Sequence, residues 1–225
     1  MEQELHKACL PKEGWKVLQN LSGMLARYNA VLAGGTALAL HLGHRISVDL
    51  DFFTDKEFNN EAIISDIRET RFPFHILSEG EGFLIAEVDG IKTSLFKYEY
   101  PFIEKPDVYK TVRIAGVIDI AAMKIIALSQ RGTKRDFVDL FFILQDLPFH
   151  KIAEHMVMRF GRERINAVHI GKSLVYFSDA ESHPEPEYMK GKEINWLDVK
   201  NFFKHHMKQF TLDIDSAMKS VKRKS

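Results

Sequence analysis

Apolar residues recur every three to four positions in six stretches of the chain, and each stretch predicts a helix with one buried face. The first stretch is residues 12–29. The other five lie in the second half of the chain, at residues 117–130, 135–146, 149–160, 163–177 and 194–210. The polar segment 178–193 contains two prolines and predicts a loop between the last two helices.

The middle of the first half has a different pattern. Residues 30–33 form a short apolar run ending in Gly-Gly, which predicts a buried strand. Residues 36–43 predict a short helix with Thr36 near its start and a glycine at its end. Residues 47–53 predict a second strand, so a strand, a glycine turn, a helix and a strand follow one another within 24 residues.

Residues 73–99 have the composition of several strands. Asp89-Gly90 separates two apolar segments, and this dipeptide is a strong signal for a tight hairpin. Before these strands, Asn59 or Asn60 is placed to cap a helix that ends near Arg71. The chain is therefore predicted to be mixed α/β for about residues 30–115.

These elements predict an α+β fold, in which helices flank a mixed sheet and the C-terminal part is helical. We expect an α/β core with an N-terminal helix in residues 1–115, and a helical part in residues 116–225 that completes the active-site cleft. Strands and helices do not alternate regularly, and neither a G-x-G-x-x-G nor a G-x-x-x-x-G-K-[ST] sequence occurs. Rossmann and P-loop folds are therefore not supported.

The composition narrows the class of protein further. The sequence contains 225 residues, of which 45% are hydrophobic, so a packed core is expected. The single cysteine, Cys9, excludes a disulfide framework and a cysteine-based zinc site. No apolar run approaches the roughly 20 residues that a membrane span needs, and the N-terminus does not resemble a signal peptide. We therefore expect a cytoplasmic protein without a membrane partner.

The net charge is zero, but the charge is unevenly distributed. Residues 1–150 carry a net charge of −4, and residues 151–225 carry +4. Lys200, Lys204 and Lys208 recur every four residues, and such a basic stripe could follow a phosphate backbone. A solvated helical surface is the preferred explanation of the same residues.

The residues with the most specific chemistry are Gly34-Gly35-Thr36 and, 13 residues after the threonine, Asp49-Leu50-Asp51. Two carboxylates at i and i+2 on a strand point to the same face. Such a pair can bind a divalent cation, and the cation can bind a polyphosphate. The glycines allow the backbone to approach a ligand, and a helix beginning at Thr36 would offer its hydroxyl and N–H groups to a phosphate.

The segment GGTALALHLGHRISVDLDFF resembles the AbiEii/AbiGii family of nucleotidyltransferase-like toxins, within the superfamily of DNA polymerase β and the kanamycin-type nucleotidyltransferases. In that family a GGT-A-L pattern precedes an R-x-S-x-D-L-D run, which Arg45, Ser47, Asp49 and Asp51 match. The run MKIIALSQRGTKRDFVDLFFI resembles a second motif of the family. Its matching positions are Lys124, Arg131, Arg135, Asp136 and Asp139.

The resemblance implies a polymerase β-like nucleotidyltransferase fold and a transferase that moves an NMP group from an NTP to an acceptor hydroxyl. It implies Mg²⁺ or Mn²⁺ as cofactor, with Asp49 and Asp51 as metal ligands and catalytic residues. Lys124 and Asp136 are the other expected catalytic residues. The expected nucleotide-binding residues are Gly34, Gly35, Thr36, Arg45, Ser47 and Arg131.

The same resemblance implies the toxin of a toxin–antitoxin or phage-resistance system, with a cognate antitoxin as partner and tRNA or another RNA as one candidate acceptor.

Enzymes of the superfamily usually carry a third carboxylate on a neighbouring strand. The segment IKTSLFKY after Asp89-Gly90 contains no acid, although Glu87 and Asp89 lie across the hairpin. Two alternatives therefore stay open, a nucleotide-binding module without transfer and a protein that acts by binding a partner.

Overall fold

A computed structural model describes residues 5–220, and the chain divides into two compact units, one ending at Gly116 and the other starting at Val117. The described part of the first unit contains helices and one seven-stranded sheet. The α-helices are α1 (Lys12–Arg27), α2 (Gly34–Leu42) and α3 (Asn60–Glu69). The strands are β1 (Val31–Ala33), β2 (Leu50–Thr54), β3 (Phe74–Gly80), β4 (Phe83–Val88), β5 (Ile91–Lys97), β6 (Asp107–Tyr109) and β7 (Val112–Ile114).

The sheet is mixed, with strand order β3-β4-β5-β2-β1-β7-β6. Strand β2 runs parallel to β5, and β1 runs parallel to β7, whereas the other neighbouring strands are antiparallel. Helices α1, α2 and α3 pack against this sheet. The predicted α+β architecture, a mixed sheet flanked by helices and followed by a helical C-terminal part, is confirmed.

The central strands have one strongly buried face and one partly open face. Leu32, Phe52 and Leu95 occupy paired positions on the buried face, and none of the three is more than 4% exposed. Because side chains alternate along a strand, Asp51 and Phe53 lie on the opposite face, where both are half-buried. The fold therefore uses the apolar residues of β2 for the core and leaves an aspartate on the accessible side.

In its described part, the second unit is helical. Its α-helices are α4 (Val117–Gln130), α5 (Lys134–Asp146), α6 (Phe149–Phe160), α7 (Ala167–Ser173), α8 (Ser178–Glu181) and α9 (Trp196–Ser220). The ring of Phe137 on α5 contacts three other rings, those of Phe177, Trp196 and Phe203. Phe137 is fully buried, as expected for a core residue, so these aromatic contacts join α5 to the start of α9.

The predicted elements match the structure best where the local signals were strong. Helix α4 has the predicted bounds, and Asn59 caps α3 by accepting a hydrogen bond from the N–H of Ala62. The turn between β4 and β5 has positive φ angles at both Asp89 (49°) and Gly90 (78°), as a tight hairpin requires.

Other predictions were wrong in part. Helix α9 continues to Ser220, ten residues beyond its predicted end, and the predicted loop 178–193 contains the one-turn helix α8. The hairpin of β6 and β7 was not predicted. Each of these strands has only three residues, which is too short for an alternating pattern to stand out.

No helix within residues 5–220 is both long enough and apolar enough to cross a membrane.

Candidate active site

The glycine turn forms the junction between β1 and α2. Helix α2 begins at Gly34, two residues before the predicted start at Thr36, and Gly34 has a φ of +65°. This left-handed conformation is accessible to glycine at little cost, and it lets the chain turn directly from the strand into the helix. Because an α-helix leaves its first N–H groups without partners inside the helix, this junction is a potential binding site for an anion.

The carboxylate of Asp51 lies beside this turn. Ala33, the last residue of β1, pairs with Asp51 in the sheet, so Gly34 is placed against the aspartate. A Cβ atom on Gly34 would lie 3.3 Å from Oδ2 of Asp51. The absence of a side chain on Gly34 therefore leaves space directly beside the carboxylate.

Asp49 lies just before β2 rather than within it, because the strand begins at Leu50 and not at Ser47 as predicted. The main-chain groups of Ser47 and Asp49 form hydrogen bonds outside the sheet. The N–H of Ser47 donates to the carbonyl of Cys9 at 2.9 Å, and the carbonyl of Asp49 accepts a hydrogen bond from the Thr36 hydroxyl. Val48 also lies outside the sheet, and it is 44% exposed.

Thr36 connects α2 to the segment that carries Asp49. Its side chain is buried, and its hydroxyl donates to the main-chain carbonyl of Asp49. The same hydroxyl shares a hydrogen bond of 2.8 Å with the hydroxyl of Ser47. Both hydroxyl groups are thus engaged within the protein, and they fix the glycine turn relative to the aspartates.

Arg45 packs beneath the second glycine of the turn. Its side chain is only 3% exposed, and Nη1 donates to the carbonyl of Ile46 at 3.0 Å. A Cβ atom on Gly35 would lie 2.3 Å from Nη2 of Arg45, so any larger residue would displace the guanidinium. Burial raises the pKa of the nearby Cys9 thiol, and the positive charge of Arg45 opposes this rise.

The histidines near the turn are also buried. His41 is 5% exposed, and its Nε2 lies 2.8 Å from the carbonyl oxygen of Ala115. His44 has no exposed surface. These two residues therefore belong to the interior behind the turn.

The neighbouring strand places a serine beside Asp51. In the parallel pair of β2 and β5, Asp51 is opposite Ser94, which is 1% exposed. Lys92, Thr93 and Ser94 are the polar residues in the first half of β5, and this strand carries no carboxylate. Strand β5 therefore supplies no third acid beside Asp51.

The second unit contains a compact cluster of charged side chains on α4 and α5. Nζ of Lys124 lies 2.6 Å from Oδ1 of Asp136 and 2.6 Å from Oδ2 of Asp139. Thr133 caps α5, and its hydroxyl donates to the other oxygen of Asp136 at 2.6 Å. Three of the predicted residues, one lysine and two aspartates, are thus brought together, and Asp139 is completely buried.

The arginines of the second motif lie outside this cluster of buried charges. Arg131 follows the end of α4, and Arg135 lies in the first turn of α5. Both side chains are exposed.

A further buried ion cluster was missed by the sequence analysis. Asp119 on α4 is 2.9 Å from Nε2 of His155 and accepts a hydrogen bond of 3.0 Å from Nη1 of Arg159. His155 and Arg159 are four residues apart and so share one face of α6. This spacing was visible in the sequence, whereas their partner Asp119 could be identified only from the packing of α4 on α6.

Substitution with alanine is expected to have opposite effects on stability at Gly34 and at Gly23. Gly34→Ala forces a left-handed conformation on alanine and places its Cβ against Asp51, so we expect a loss of about 1–2 kcal/mol in the free energy of unfolding. Gly23 is exposed on α1, and a Cβ atom there would meet no other part of the described chain within 4 Å. Gly23→Ala should therefore stabilise the protein by about 0.5–1 kcal/mol.

Urea unfolding of the two variants measures this difference. Equal effects of the two substitutions on the urea midpoint would contradict the geometry described for the Gly34 turn.

Comparison with known proteins agrees with the fold. A model of the family described as nucleotidyl transferase AbiEii toxin, type IV toxin–antitoxin system, matches residues 16–219. The protein aq_aa25 of Aquifex aeolicus (strain VF5) is 38% identical over 209 residues, which cover 89% of this chain and 97% of the relative.

Solved structures of similar fold were also found. JHP933 from Helicobacter pylori matches with a TM-score of 0.54 and 19% identity, over 94% of this chain and 97% of that chain. MenT4, a nucleotidyltransferase toxin from Mycobacterium tuberculosis H37Rv, matches with a TM-score of 0.50 and 14% identity, over 95% and 96% of the two chains. The family match extends over most of the sequence, and the chain therefore belongs to the AbiEii family of nucleotidyltransferase toxins.

Proposed function

We propose that the protein transfers an NMP group from an NTP to an acceptor hydroxyl, and that Asp49 and Asp51 bind the required Mg²⁺ or Mn²⁺. The observation that carries the proposal is the position of Gly34, which begins α2 directly beside the carboxylate of Asp51. The proposed phosphate site and the proposed cation site would thereby be adjacent.

The residues present fit a metal ion that arrives with its nucleotide. Among the described residues, no group of three or more His, Cys, Asp or Glu side chains is arranged to hold a metal ion by itself. Mg²⁺ is commonly bound by one or two carboxylates together with substrate phosphates, so Asp49 and Asp51 suffice for this mode. The space that Gly34 leaves beside Asp51 suits such a shared site. A bound cation would neutralise the triphosphate and support departure of pyrophosphate.

The N–H groups at the start of α2 are the proposed contacts for the β- and γ-phosphates. Thr36 and Ser47 act by holding the turn in place, because their hydroxyls are bonded to each other and to the segment of Asp49. Arg45 supports Gly35 from below and adds a positive charge behind the turn. Among the nucleotide-binding residues predicted from the sequence, Gly34 and Gly35 are thus the proposed direct contacts.

Lys124, Asp136 and Arg131 are the proposed functional residues of the second unit. The two aspartates fix the ammonium group of Lys124, which we propose neutralises phosphate charge. Asp136 is the candidate base for the acceptor hydroxyl, and its carboxylate is oriented by Lys124 and Thr133. Arg131 offers a second, exposed cation.

RNA, including tRNA, is the proposed acceptor, and the basic C-terminal part of the chain supports this choice. Membership of a toxin–antitoxin family implies an antitoxin as a further partner.

A second candidate function is nucleotide binding without transfer. The observation that favours it is Ser94, which occupies the position beside Asp51 on the neighbouring strand where an acid would complete the site. This candidate predicts that an NTP with Mg²⁺ raises the melting temperature, while no covalent product forms.

Incubation with NTPs labelled on either the α- or the γ-phosphate, together with Mg²⁺ and total RNA, distinguishes these functions. Nucleotidyl transfer predicts that the α-label enters RNA, that the γ-label does not, and that a chelator abolishes the reaction. Stable binding of an NTP without any α-label in a product would instead support the second candidate.

A further inference from the structure

The first unit contains a cavity of about 110 Å³ at the end of β2 where Asp55 follows the strand. Aromatic side chains form much of its wall, and the residues that matter here are Asn29, Phe53, Tyr98, Tyr100, Phe102 and Arg113. Asp55 and Pro101 also line the cavity, and both side chains are exposed. The cavity is therefore a pocket with an aromatic wall and an open rim within this unit.

The aromatic rings form a connected wall. The centroid of Phe53 is 5.2 Å from that of Tyr98, which is in turn 5.3 Å from that of Tyr100. Two prolines, Pro101 and Pro106, line the same cavity and restrict the backbone of the segment that follows β5. The wall is thus formed before a ligand binds, so little ordering is required on binding.

The lining also carries hydrogen-bonding groups. Nη1 of Arg113 donates to the main-chain carbonyl of Asn29 at 3.1 Å and also to the side-chain oxygen of Asn29. Asp55 adds a carboxylate at the rim. Both bonds of Arg113 use Nη1, whereas a guanidinium has five N–H donors in all. Its other donors and the Asp55 carboxylate are the two kinds of group that match the edge of a nucleobase.

The cavity lies on the same face of the sheet as the proposed metal ligand. Asp51 and Phe53 are two residues apart on β2, so their Cα atoms are separated by about 7 Å on one side of the strand. Val31 pairs with both Phe53 and Arg113, which brings these two residues to the same region of that face. The spacing between Asp51 and the pocket is of the order of one nucleotide.

We propose that this cavity binds a single nucleobase, and that its size favours a pyrimidine over a purine. The pocket volume of about 110 Å³ is smaller than the roughly 150 Å³ of a cavity that encloses one benzene ring, so the pocket takes most of one ring through its open rim. It has no room for the second ring of a purine, and the sugar stays outside. The base belongs either to the NTP or to the acceptor nucleotide. The proposal rests on the proposed function for its link to Asp51, whereas base binding itself can be measured separately.

Tyr100 provides the test, because it is half-buried and lies outside the strands. Loss of a stacked base on alanine substitution costs about 1–3 kcal/mol, which is about 5- to 150-fold in Kd. We expect Tyr100→Ala to weaken binding by this factor and Tyr100→Phe to bind like the wild type. Tyr176→Ala is the matched control, because Tyr176 is 55% exposed and lies in the other unit.

Binding of three kinds of probe is measured with Mg²⁺ by titration calorimetry: tripolyphosphate, CTP or ATP, and short oligocytidylate or oligoadenylate. Tripolyphosphate should bind all variants equally. If the base belongs to the NTP, Tyr100→Ala weakens CTP binding. If it belongs to the acceptor, oligocytidylate binding weakens instead. One of the two ligand classes, the NTP or the oligonucleotide, is expected to lose affinity in Tyr100→Ala. In that class, the cytosine-containing ligand should bind the wild type more tightly than the adenine-containing ligand.

The proposal is overturned if Tyr100→Ala weakens neither base-containing ligand, if it weakens tripolyphosphate equally, or if the adenine form binds as tightly. Its failure can be distinguished from failure of the proposed function. Base binding that depends on Tyr100 would persist in a protein that transfers no label, and label transfer would persist in a protein whose cavity binds no base.

Discussion

Replacing Asp51 with asparagine is expected to slow nucleotidyl transfer about a thousandfold, which corresponds to about 4 kcal/mol of transition-state stabilisation. Asparagine preserves the shape of the side chain and removes the negative charge that a cation requires. Asp51 is half-buried on the open face of β2, so the substitution should leave the fold intact. Single-turnover transfer from an α-labelled NTP measures the rate.

Asp107→Asn is the control for this variant. Asp107 is an exposed residue at the start of the edge strand β6, and removing its charge should change the rate less than twofold. A rate for Asp51→Asn within tenfold of the wild type, with unchanged circular dichroism, would exclude Asp51 as an essential metal ligand.

Asp119→Ala is expected to have the largest effect on stability, a loss of about 3–5 kcal/mol in the free energy of unfolding. The side chains of Asp119 and Arg159 have no exposed surface, and His155 is almost as deeply buried. Removing the carboxylate takes away a buried negative charge that lies 3.0 Å from the guanidinium of Arg159. The urea midpoint of unfolding, followed by circular dichroism, measures the loss.

Asp119→Asn should be less damaging than Asp119→Ala, because an amide oxygen still accepts a hydrogen bond from Arg159. Asp179→Ala is the control, since Asp179 is an exposed residue of α8 and should change stability by less than about 0.5 kcal/mol. If Asp119→Ala unfolds at the same urea concentration as this control, the ion cluster does not stabilise the second unit.

The fold was predictable wherever one local signal determined an element. The capping asparagine of α3 and the Asp-Gly turn between β4 and β5 fix their elements through short-range hydrogen bonds and φ angles. The bounds of β2 depend instead on contacts that are distant in sequence. Ser47 is held by the carbonyl of Cys9, 38 positions earlier, and this contact excludes it from the strand.

The identities of the candidate site residues were predictable, but several of their environments were not. The pattern pointed to Thr36 as a phosphate ligand, whereas its hydroxyl is bonded to Asp49 and Ser47 inside the protein. Likewise, no local pattern indicates that Arg45 fills the space under Gly35, because that contact depends on how the chain returns from α2 to β2.

The charged cluster on α4 and α5 was also predictable only in part. The spacing of Asp136 and Asp139 places both carboxylates on one face of a helix. Their pairing with Lys124 requires the packing of α4 against α5, which the sequence does not specify.

The most direct test of the metal–nucleotide site is calorimetric titration of the wild type and Asp51→Asn with an NTP, in Mg²⁺ and in excess chelator. The account predicts that the wild type binds the NTP tightly only when Mg²⁺ is present, and that Asp51→Asn loses this dependence on metal. Two results would contradict the assignment of Asp51 and the Gly34 turn as the metal–nucleotide site. One is an NTP affinity of the wild type that is the same with and without Mg²⁺. The other is an NTP affinity in Mg²⁺ that is the same for the wild type and Asp51→Asn.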